Sequence, residues 1–297
     1  MSVESGDSPE LLAAAAPLPE RRTRLQSAWR ALKKAPITAW FGLIVVGTYV
    51  FVALFAPLIA PYGEAQVVGD QYMPWDNQYL LGTDQIGRDM LSRLIFGARN
   101  SIGIAVLTTA LSFSIGGFLG MLAATLGGWI DQILARSVDI LMAIPQLIFA
   151  LVLLLIFGSS VLNLILIIAV LDSTRVFRLT RAVAMNVVVQ DFVEAARLQG
   201  EKLGWITTRE ILPNILPPLI AEFGLRFCFV FLTIAALSFL GLGIQPPTAD
   251  WGAMIADGQE FLTTHWMLAT VPGLAVVLTG LGLSLLSDGL TDVLRPR

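Results

Sequence analysis

The sequence predicts an all-α protein that crosses a membrane with six helices. Of its 297 residues, 56% are hydrophobic and 14% are charged, and the mean hydropathy is +0.75. Soluble domains are about one-quarter charged. Several apolar runs reach roughly 20 residues, the length that crosses a hydrocarbon core of about 30 Å. The runs are continuous and not alternating, which favours helices, because a lipid-exposed backbone must satisfy its hydrogen bonds within each segment.

Six apolar runs are the candidate membrane spans, and the fourth continues as a more polar helix to residue 184. They lie near residues 37–56, 101–126, 140–157, 161–171, 217–241 and 266–286. Of the 19 Lys and Arg residues, only Arg88, Arg93 and Arg99 fall in the segments that alternate to the outside, and Arg226 lies within the fifth span. This asymmetry predicts that both termini are cytoplasmic.

These spans and their orientation predict the organisation of the chain. It comprises a cytoplasmic N-terminal tail (1–35), the first span (36–60), an extracytoplasmic segment with an amphipathic part (61–98), a core of five spans (99–291) and a cytoplasmic C-terminal tail (292–297).

Several function classes find no support in the residues. The net charge of −3 implies no nucleic-acid partner. Cys228 and His265 are the only residues of their types, so we expect no disulfide and no metal site. The chain has no G-x-x-x-x-G-K-[ST] phosphate loop, no Ser-His-Asp set and no paired carboxylates. We therefore expect a non-catalytic protein without a cofactor of its own.

Two patterns within the predicted spans carry small or charged residues. Ser112, Gly116, Gly120 and Ala124 repeat every four residues along the second span, a spacing that lets helix backbones approach closely; chance in a glycine-rich chain is the alternative. Glu222 and Arg226 stand four apart in the fifth span, where opposite charges can meet. They form either a structural ion pair or part of a cavity lining.

The stretch VEAARLQGEKLGWITTREILPN (Val193–Asn214) interrupts this apolar chain with an ordered polar segment. We expect a helix over Val187–Gln199, a left-handed cap at Gly200 and a second short helix from Leu203 that Pro213 stops. Exposed Leu203 and Trp205 favour a docking element for another protein. An amphipathic hairpin on the membrane surface is the alternative. We call residues 187–213 the elbow.

The elbow resembles the EAA loop of permeases from ABC-transporter importers, through Glu194-Ala195-Ala196, Gly200 and Leu212-Pro213. Three further blocks are similar to the "C"-type permeases of the dipeptide, oligopeptide and nickel importers. They are LGTDQIGRDMLSRLIFGARNSIGIAV (Leu81–Val106), ALSFLGLGIQPPTADWGAMI (Ala236–Ile255) and PGLAVVLTGLGLSLLSDGLTDVLRPR (Pro272–Arg297). The resemblance covers nearly everything after residue 35.

The resemblance implies a type I importer permease of MetI-like fold in a prokaryotic inner membrane. Its implied partners are a homologous permease, two ATPase subunits that bind ATP and Mg, and an extracytoplasmic substrate-binding protein. The expected function is the translocation of di- or oligopeptides or a related small solute, and a secondary transporter or channel that does not use ATP is the alternative.

The resemblance also implies roles for individual residues. The elbow would contact the ATPase, with Glu194 fixing its geometry by a cap or salt bridge. The loop 245–261 either contacts the binding protein or substrate, or merely caps the outer mouth. The elbow residues are Glu194, Ala195, Ala196, Arg197, Gly200, Lys202, Leu203 and Pro213, and the loop residues are Asp250, Trp251, Asp257 and Glu260.

Overall fold

The structure is a computed structural model, and it describes residues 37–294, with side chains as far as Gly289. The predicted tail 1–35 lies outside the described residues. The helices are α1 (Ile37–Ile59), α2 (Met90–Leu126), α3 (Gly128–Met142), α4 (Gln146–Phe157), α5 (Val161–Val188), α6 (Asp191–Leu198), α7 (Leu203–Phe239), α8 (Trp251–Gln259) and α9 (Met267–Leu294). The helix α9 thus enters the predicted tail 292–297, of which 295–297 are not described.

Four helices in the described part of the chain are long and apolar enough to cross a membrane, namely α1, α2, α7 and α9. The pair α3–α4 makes a fifth span if it is counted as one. The remaining predicted span is α5, which has the necessary length of 28 residues but carries Asp172, Arg175, Arg178 and Arg181. The protein is therefore a polytopic, all-α membrane protein, and its four or five candidate spans in the described residues are roughly consistent with the six predicted ones.

The third predicted span, residues 140–157, is not one continuous helix. The helices α3 and α4 meet at an angle of 86°. Pro145 is the residue before α4 and has ψ of 123°, outside the helical region. The helix α3 ends at Met142 and α4 begins at Gln146, so the chain turns just before and at Pro145, where a proline disfavours helical backbone at the residue before it.

The helix α7 corrects the prediction that Pro213 stops a short helix. It runs without interruption from Leu203 to Phe239. Residues Ile206–Ile211 form a π-helical turn, and the Leu212 N–H donates to the Thr207 carbonyl five residues back. This wider turn precedes Pro213, which lacks an N–H and would otherwise crowd the carbonyl four residues earlier.

The small-residue stripe of α2 packs against α5. A Cβ added at Gly116 would lie 2.4 Å from the Ser173 carbonyl oxygen, and one added at Gly120 would lie 2.8 Å from the Phe177 carbonyl oxygen. The helices therefore touch backbone to backbone, as the spacing predicts. The first half of α2 lies beside α8 and its second half beside the elbow, so we call the two ends of the bundle the loop end and the elbow end.

The start of α2 differs from the predicted start of the second span. The helix begins at Met90, eleven residues before Ser101, because Asp89 caps it by accepting a hydrogen bond from the Ser92 N–H. The last nine residues of the segment 61–98 are therefore helical.

Candidate functional site

The elbow consists of α6, a tight turn and the start of α7. The predicted helix Val187–Gln199 is divided, because α5 ends at Val188 and α6 begins at Asp191. Gly200 has a φ of +81°, the left-handed conformation that favours glycine. The Gly200 N–H donates to the Arg197 carbonyl at 3.0 Å, and the Glu201 N–H donates to the Ala196 carbonyl at 3.2 Å. These two bonds form a Schellman cap, which ends α6 at a defined angle.

One face of the elbow packs on the bundle. Val193 and Ala196 of α6 are buried against Ile206 and Ile211 of the π turn and against Ala184 of α5. The elbow is therefore attached to α5 and α7 by side-chain packing as well as by the chain itself. Of the two adjacent alanines, Ala196 makes this close contact and Ala195 is exposed.

Other side chains of the elbow are exposed, and several of them are large and apolar. Leu198 is 83% exposed, and Phe192, Leu203 and Trp205 are each about 41–42% exposed. Arg197 and Lys202, predicted to contact a partner, are exposed on the same segment, and Pro213 is exposed on α7. Large apolar side chains that project from the bundle are unfavourable in water unless something covers them.

Glu194 does not have the contact predicted for it. Its side chain is exposed, and within residues 37–294 it makes neither a capping bond nor an ion pair. The Schellman cap fixes the elbow geometry through the backbone instead. The carboxylate of Glu194 is free to meet another molecule.

Above the elbow, four polar side chains meet between α2, α5 and α7. The Arg226 Nε donates to Glu222 Oε1 at 2.7 Å, so the i,i+4 pair is formed. Arg226 Nη1 lies 3.9 Å from Asp172 Oδ1, and the Ser112 hydroxyl donates to Asp172 Oδ2 at 2.9 Å. We call Ser112, Asp172, Glu222 and Arg226 the interhelix charge cluster. It connects three helices by charge within an otherwise apolar bundle.

Sequence reasoning missed Asp172, whose side chain is 1% exposed. The fourth span was predicted to end at Leu171, which placed Asp172 at a boundary where a charge needs no explanation. The signal was present in the sequence: an acidic residue directly follows eleven residues with a single polar member, Asn163. An ionisable residue in such a position has a partner as a rule.

Two family models match the chain. Residues 116–297 match the binding-protein-dependent transport system inner membrane component, and residues 23–79 match the N-terminal TM domain of oligopeptide transport permease C. The first match covers more than half of the sequence. The chain belongs to the binding-protein-dependent inner-membrane permeases.

Curated relatives resemble this permease over most of its length. It is 41% identical to the dipeptide transport system permease protein DppC of Escherichia coli K12, over 95% of each chain. It is 38% identical to the di/tripeptide transport system permease protein DppC of Pseudomonas aeruginosa UCBPP-PA14, over 86% of this chain and 87% of the relative. The relatives are permease subunits, and nothing in the described residues of this chain supports catalysis by the permease itself.

A solved structure shares the fold of the permease. The crystal structure of an amino acid ABC transporter with histidines aligns with a TM-score of 0.52 and 17% identity, over 68% of this chain and 94% of that chain. At this identity the likeness concerns the fold alone.

At the loop end, the structure corrects two of the four residues predicted to contact a binding protein or substrate. Asp250 and Trp251 are each 1% exposed. Asp250 caps α8 by accepting from the Ala253 N–H at 3.1 Å and accepts from the Ser101 hydroxyl at 2.7 Å. Burial raises the pKa of Asp250, although the hydrogen bond from Ser101 works against the rise. These side chains hold α8 on α2 and are not available at the surface.

The other two predicted residues, Asp257 and Glu260, are exposed at the loop end. Asp70 and Asp76 are exposed in the segment before α2. The loop end of the permease therefore presents carboxylates, while Arg88 and Arg93 are buried around Asp84.

Glu64 is a connecting residue that the sequence did not reveal. Its Oε2 accepts from the Asn100 side chain at 3.1 Å and from the Ala249 N–H at 3.3 Å. One carboxylate thus fastens the segment before α2 to both α2 and the α7–α8 loop. Among the described residues, no group of three or more His, Cys, Asp or Glu side chains is placed to hold a metal ion.

Proposed function

We propose that this permease is the membrane subunit of an ATP-driven importer for di- or oligopeptides. It would form the pathway together with a homologous permease. Two ATPase subunits would bind ATP and Mg, and an extracytoplasmic binding protein would deliver the substrate. The elbow carries the proposal: it is a glycine-capped projection with exposed apolar side chains, held on the ends of two long helices. The dipeptide and di/tripeptide relatives at 38–41% identity support the substrate class.

The proposed coupling follows from how the elbow is attached. Closure of the ATPase pair would displace the elbow through its exposed apolar side chains, which include Phe192, Leu198, Leu203 and Trp205. Because Val193 and Ala196 are packed on Ile206 and Ile211, the displacement would pass to α5 and α7 as movement of packed elements. Arg197, Lys202 and the free carboxylate of Glu194 would orient the contact by charge. This is gating of a pathway, without chemistry in the permease.

The proposed orientation places the elbow end in the cytoplasm, with both termini on that side of a prokaryotic inner membrane. The distribution of Arg and Lys supports it. The elbow end holds Arg197, Lys202 and Arg209, whereas the exposed charges of the loop end are mainly carboxylates. The loop end would then face the binding protein through Asp257 and Glu260.

The experiment is uptake into vesicles that contain the complete complex, with a labelled dipeptide and the companion binding protein. We expect uptake that requires ATP and that Gly200→Pro abolishes, while the permease still inserts and co-purifies with its ATPases. Uptake that continues without ATP, or that Gly200→Pro leaves unchanged, would refute the proposal.

A secondary transporter remains the second candidate, because the interhelix charge cluster places carboxylates among membrane helices, as ion-coupled carriers require. The same vesicles separate the two functions. Collapse of the ion gradients by an ionophore would stop a secondary transporter and leave an ATP-driven importer active.

A further inference from the structure

Arg226 lies between two carboxylates that belong to different helices. Its Nε is hydrogen-bonded to Glu222 of its own helix at 2.7 Å. Its Nη1 lies 3.9 Å from Asp172 of α5, close enough for an ion pair but too far for a hydrogen bond. The Nη1 atom is buried and has no hydrogen-bond partner among residues 37–294. The Nε of the guanidinium is thus hydrogen-bonded, and the buried Nη1 is not.

Asp172 is fixed to the unit formed by α2 and α5. The Ser112 hydroxyl holds its Oδ2 at 2.9 Å, and the close backbone contacts at Gly116 and Gly120 hold the two helices together. Arg226 belongs to α7. A shift of α7 against the α2–α5 unit by about 1 Å would bring Nη1 to the distance of a charge-assisted hydrogen bond. Such a shift would give a hydrogen bond to a buried charged donor that has none in this conformation.

The fold provides a means for this shift. The helices α5 and α7 are the two that the elbow joins, and the part of α7 that belongs to the elbow contains the π turn Ile206–Ile211, which precedes Arg226 on the same helix. A π turn contains one residue more than an α-helical turn. Such short turns often occur at functional sites within helices. A displacement of the elbow therefore acts on α7 at a point where its helical register is already irregular.

We propose that Arg226 is a positioning residue whose main partner changes during transport, from Glu222 in this conformation to Asp172 in the alternative one. The proposal rests on the ATP-driven function, because it is the ATPases that would move the elbow. Each carboxylate stabilises one of the two conformations, and a group that favours one state shifts the population toward it. Phe229, whose ring centroid lies 5.0 Å from the Arg226 guanidinium carbon, would accompany the arginine in both states.

This mechanism makes a prediction that a merely structural role does not share. Asp172→Asn removes the charge that favours the alternative conformation, and Glu222→Gln removes the charge that favours this one. Both substitutions nearly preserve shape. The two variants should therefore change the ATP hydrolysis of the complex in opposite directions relative to the wild type, each by about fivefold or more. The double variant should lie between them.

The measurement is ATP hydrolysis and dipeptide uptake by the complete complex in vesicles, for the wild type and each variant. Asp139→Asn is the matched control: it removes an ion pair with Arg178 of α5 at 2.5 Å that is exposed and does not involve α7. Its rates should equal those of the wild type. If Asp172→Asn and Glu222→Gln change hydrolysis in the same direction, or neither changes it, the proposal is overturned.

Two possible complications have defined consequences. If Asp172→Asn does not assemble, Ser112→Ala takes its place, since it removes the bond that orients Asp172. Ser112→Ala must then oppose Glu222→Gln, and a shift in the same direction or no shift overturns the proposal. If the wild-type complex itself shows no ATP-dependent uptake, the proposed function has failed. If the wild-type complex is active but the two variants do not change ATP hydrolysis in opposite directions, only the role of Arg226 has failed.

Discussion

The indole of Trp251 lies directly against the backbone of Gly97. A Cβ added at Gly97 would lie 2.6 Å from the indole Cδ1, and the indole Nε1 donates to the Leu94 carbonyl at 2.9 Å. The ring also meets Tyr49 edge-on, with centroids 5.4 Å apart. The missing side chain at position 97 thus makes room for the residue that joins α8 to α2 and α1.

Gly97→Ala should therefore destabilise the loop end. The added methyl group overlaps a fully buried ring, and overpacking of this kind costs about 1–3 kcal/mol. The measurement is thermal unfolding of the solubilised protein. Gly103→Ala is the control on the same helix, since a Cβ there meets no atom within 4 Å in the described part of the chain. Equal stability of the two variants would contradict the contact.

The contact between α2 and α5 gives a second prediction. Gly116→Ala and Gly120→Ala should each lower the free energy of unfolding by about 1–3 kcal/mol, because the new methyl group meets backbone atoms that cannot rotate away. The neighbouring Gly117→Ala should have no such effect, because its Cβ meets nothing within 4 Å among the described residues. Thermal unfolding of the three variants tests this, and a loss for Gly117→Ala as large as the others would argue against the α2–α5 contact.

Gly200 gives a prediction that depends on backbone conformation alone. An added Cβ meets nothing within 4 Å in residues 37–294, but φ is +81°. Gly200→Ala should cost about 1–2 kcal/mol of left-handed strain and reduce dipeptide uptake. Gly200→Asn should be milder, because asparagine tolerates this conformation better. Gly204→Ala, one turn away and without a positive φ, is the control. Uptake assays and unfolding curves of the three variants make the comparison, and an unimpaired Gly200→Ala would disprove the strain.

Asp250 gives a prediction about pH. Burial raises its pKa above the ordinary value of 3.8, so the folded state holds this proton more tightly than the unfolded state does. Its contribution makes stability fall as the pH rises from about 3.8 through the raised pKa. Asp250→Asn keeps the cap of α8 and should flatten this part of the pH–stability curve. Asp257 is exposed, so Asp257→Asn should leave the pH–stability curve as in the wild type. If the curve of Asp250→Asn coincides with that of Asp257→Asn, the prediction is contradicted.

The sequence predicted a packing face and a helix cap well, because each of them depends on a pattern within a few neighbouring residues. The stripe Ser112, Gly116, Gly120 and Ala124 gave the correct packing face, because small residues four apart have one physical use between helices. The cap at Gly200 followed from one glycine in a helical pattern. In both places the information lies within a few neighbouring residues.

The predictions from sequence failed where contacts with residues far away in the chain determine whether a side chain is buried. The exposed-looking Asp250 and Trp251 are buried because Gly97, Leu94 and Ser101, about 150 positions away, provide their contacts. Asp172 could be recognised as part of a site only from its contacts with Ser112 and Arg226, which lie far from it in the sequence. Pro213 was expected to end a helix, but the helix continues through it after a π turn at Ile206–Ile211. No local rule in the sequence predicts that turn.

The bend between α3 and α4 has a consequence for the surrounding bilayer. The twelve residues of α4 rise about 18 Å, well short of the roughly 30 Å of hydrocarbon beside the other helices. The helix α3 turns away from α4 by 86°, and its Asp131 and Asp139 are paired with Arg181 and Arg178. We therefore expect the bilayer beside α4 to be thinner than beside the longer helices, so that the thickness of the membrane acts on this permease.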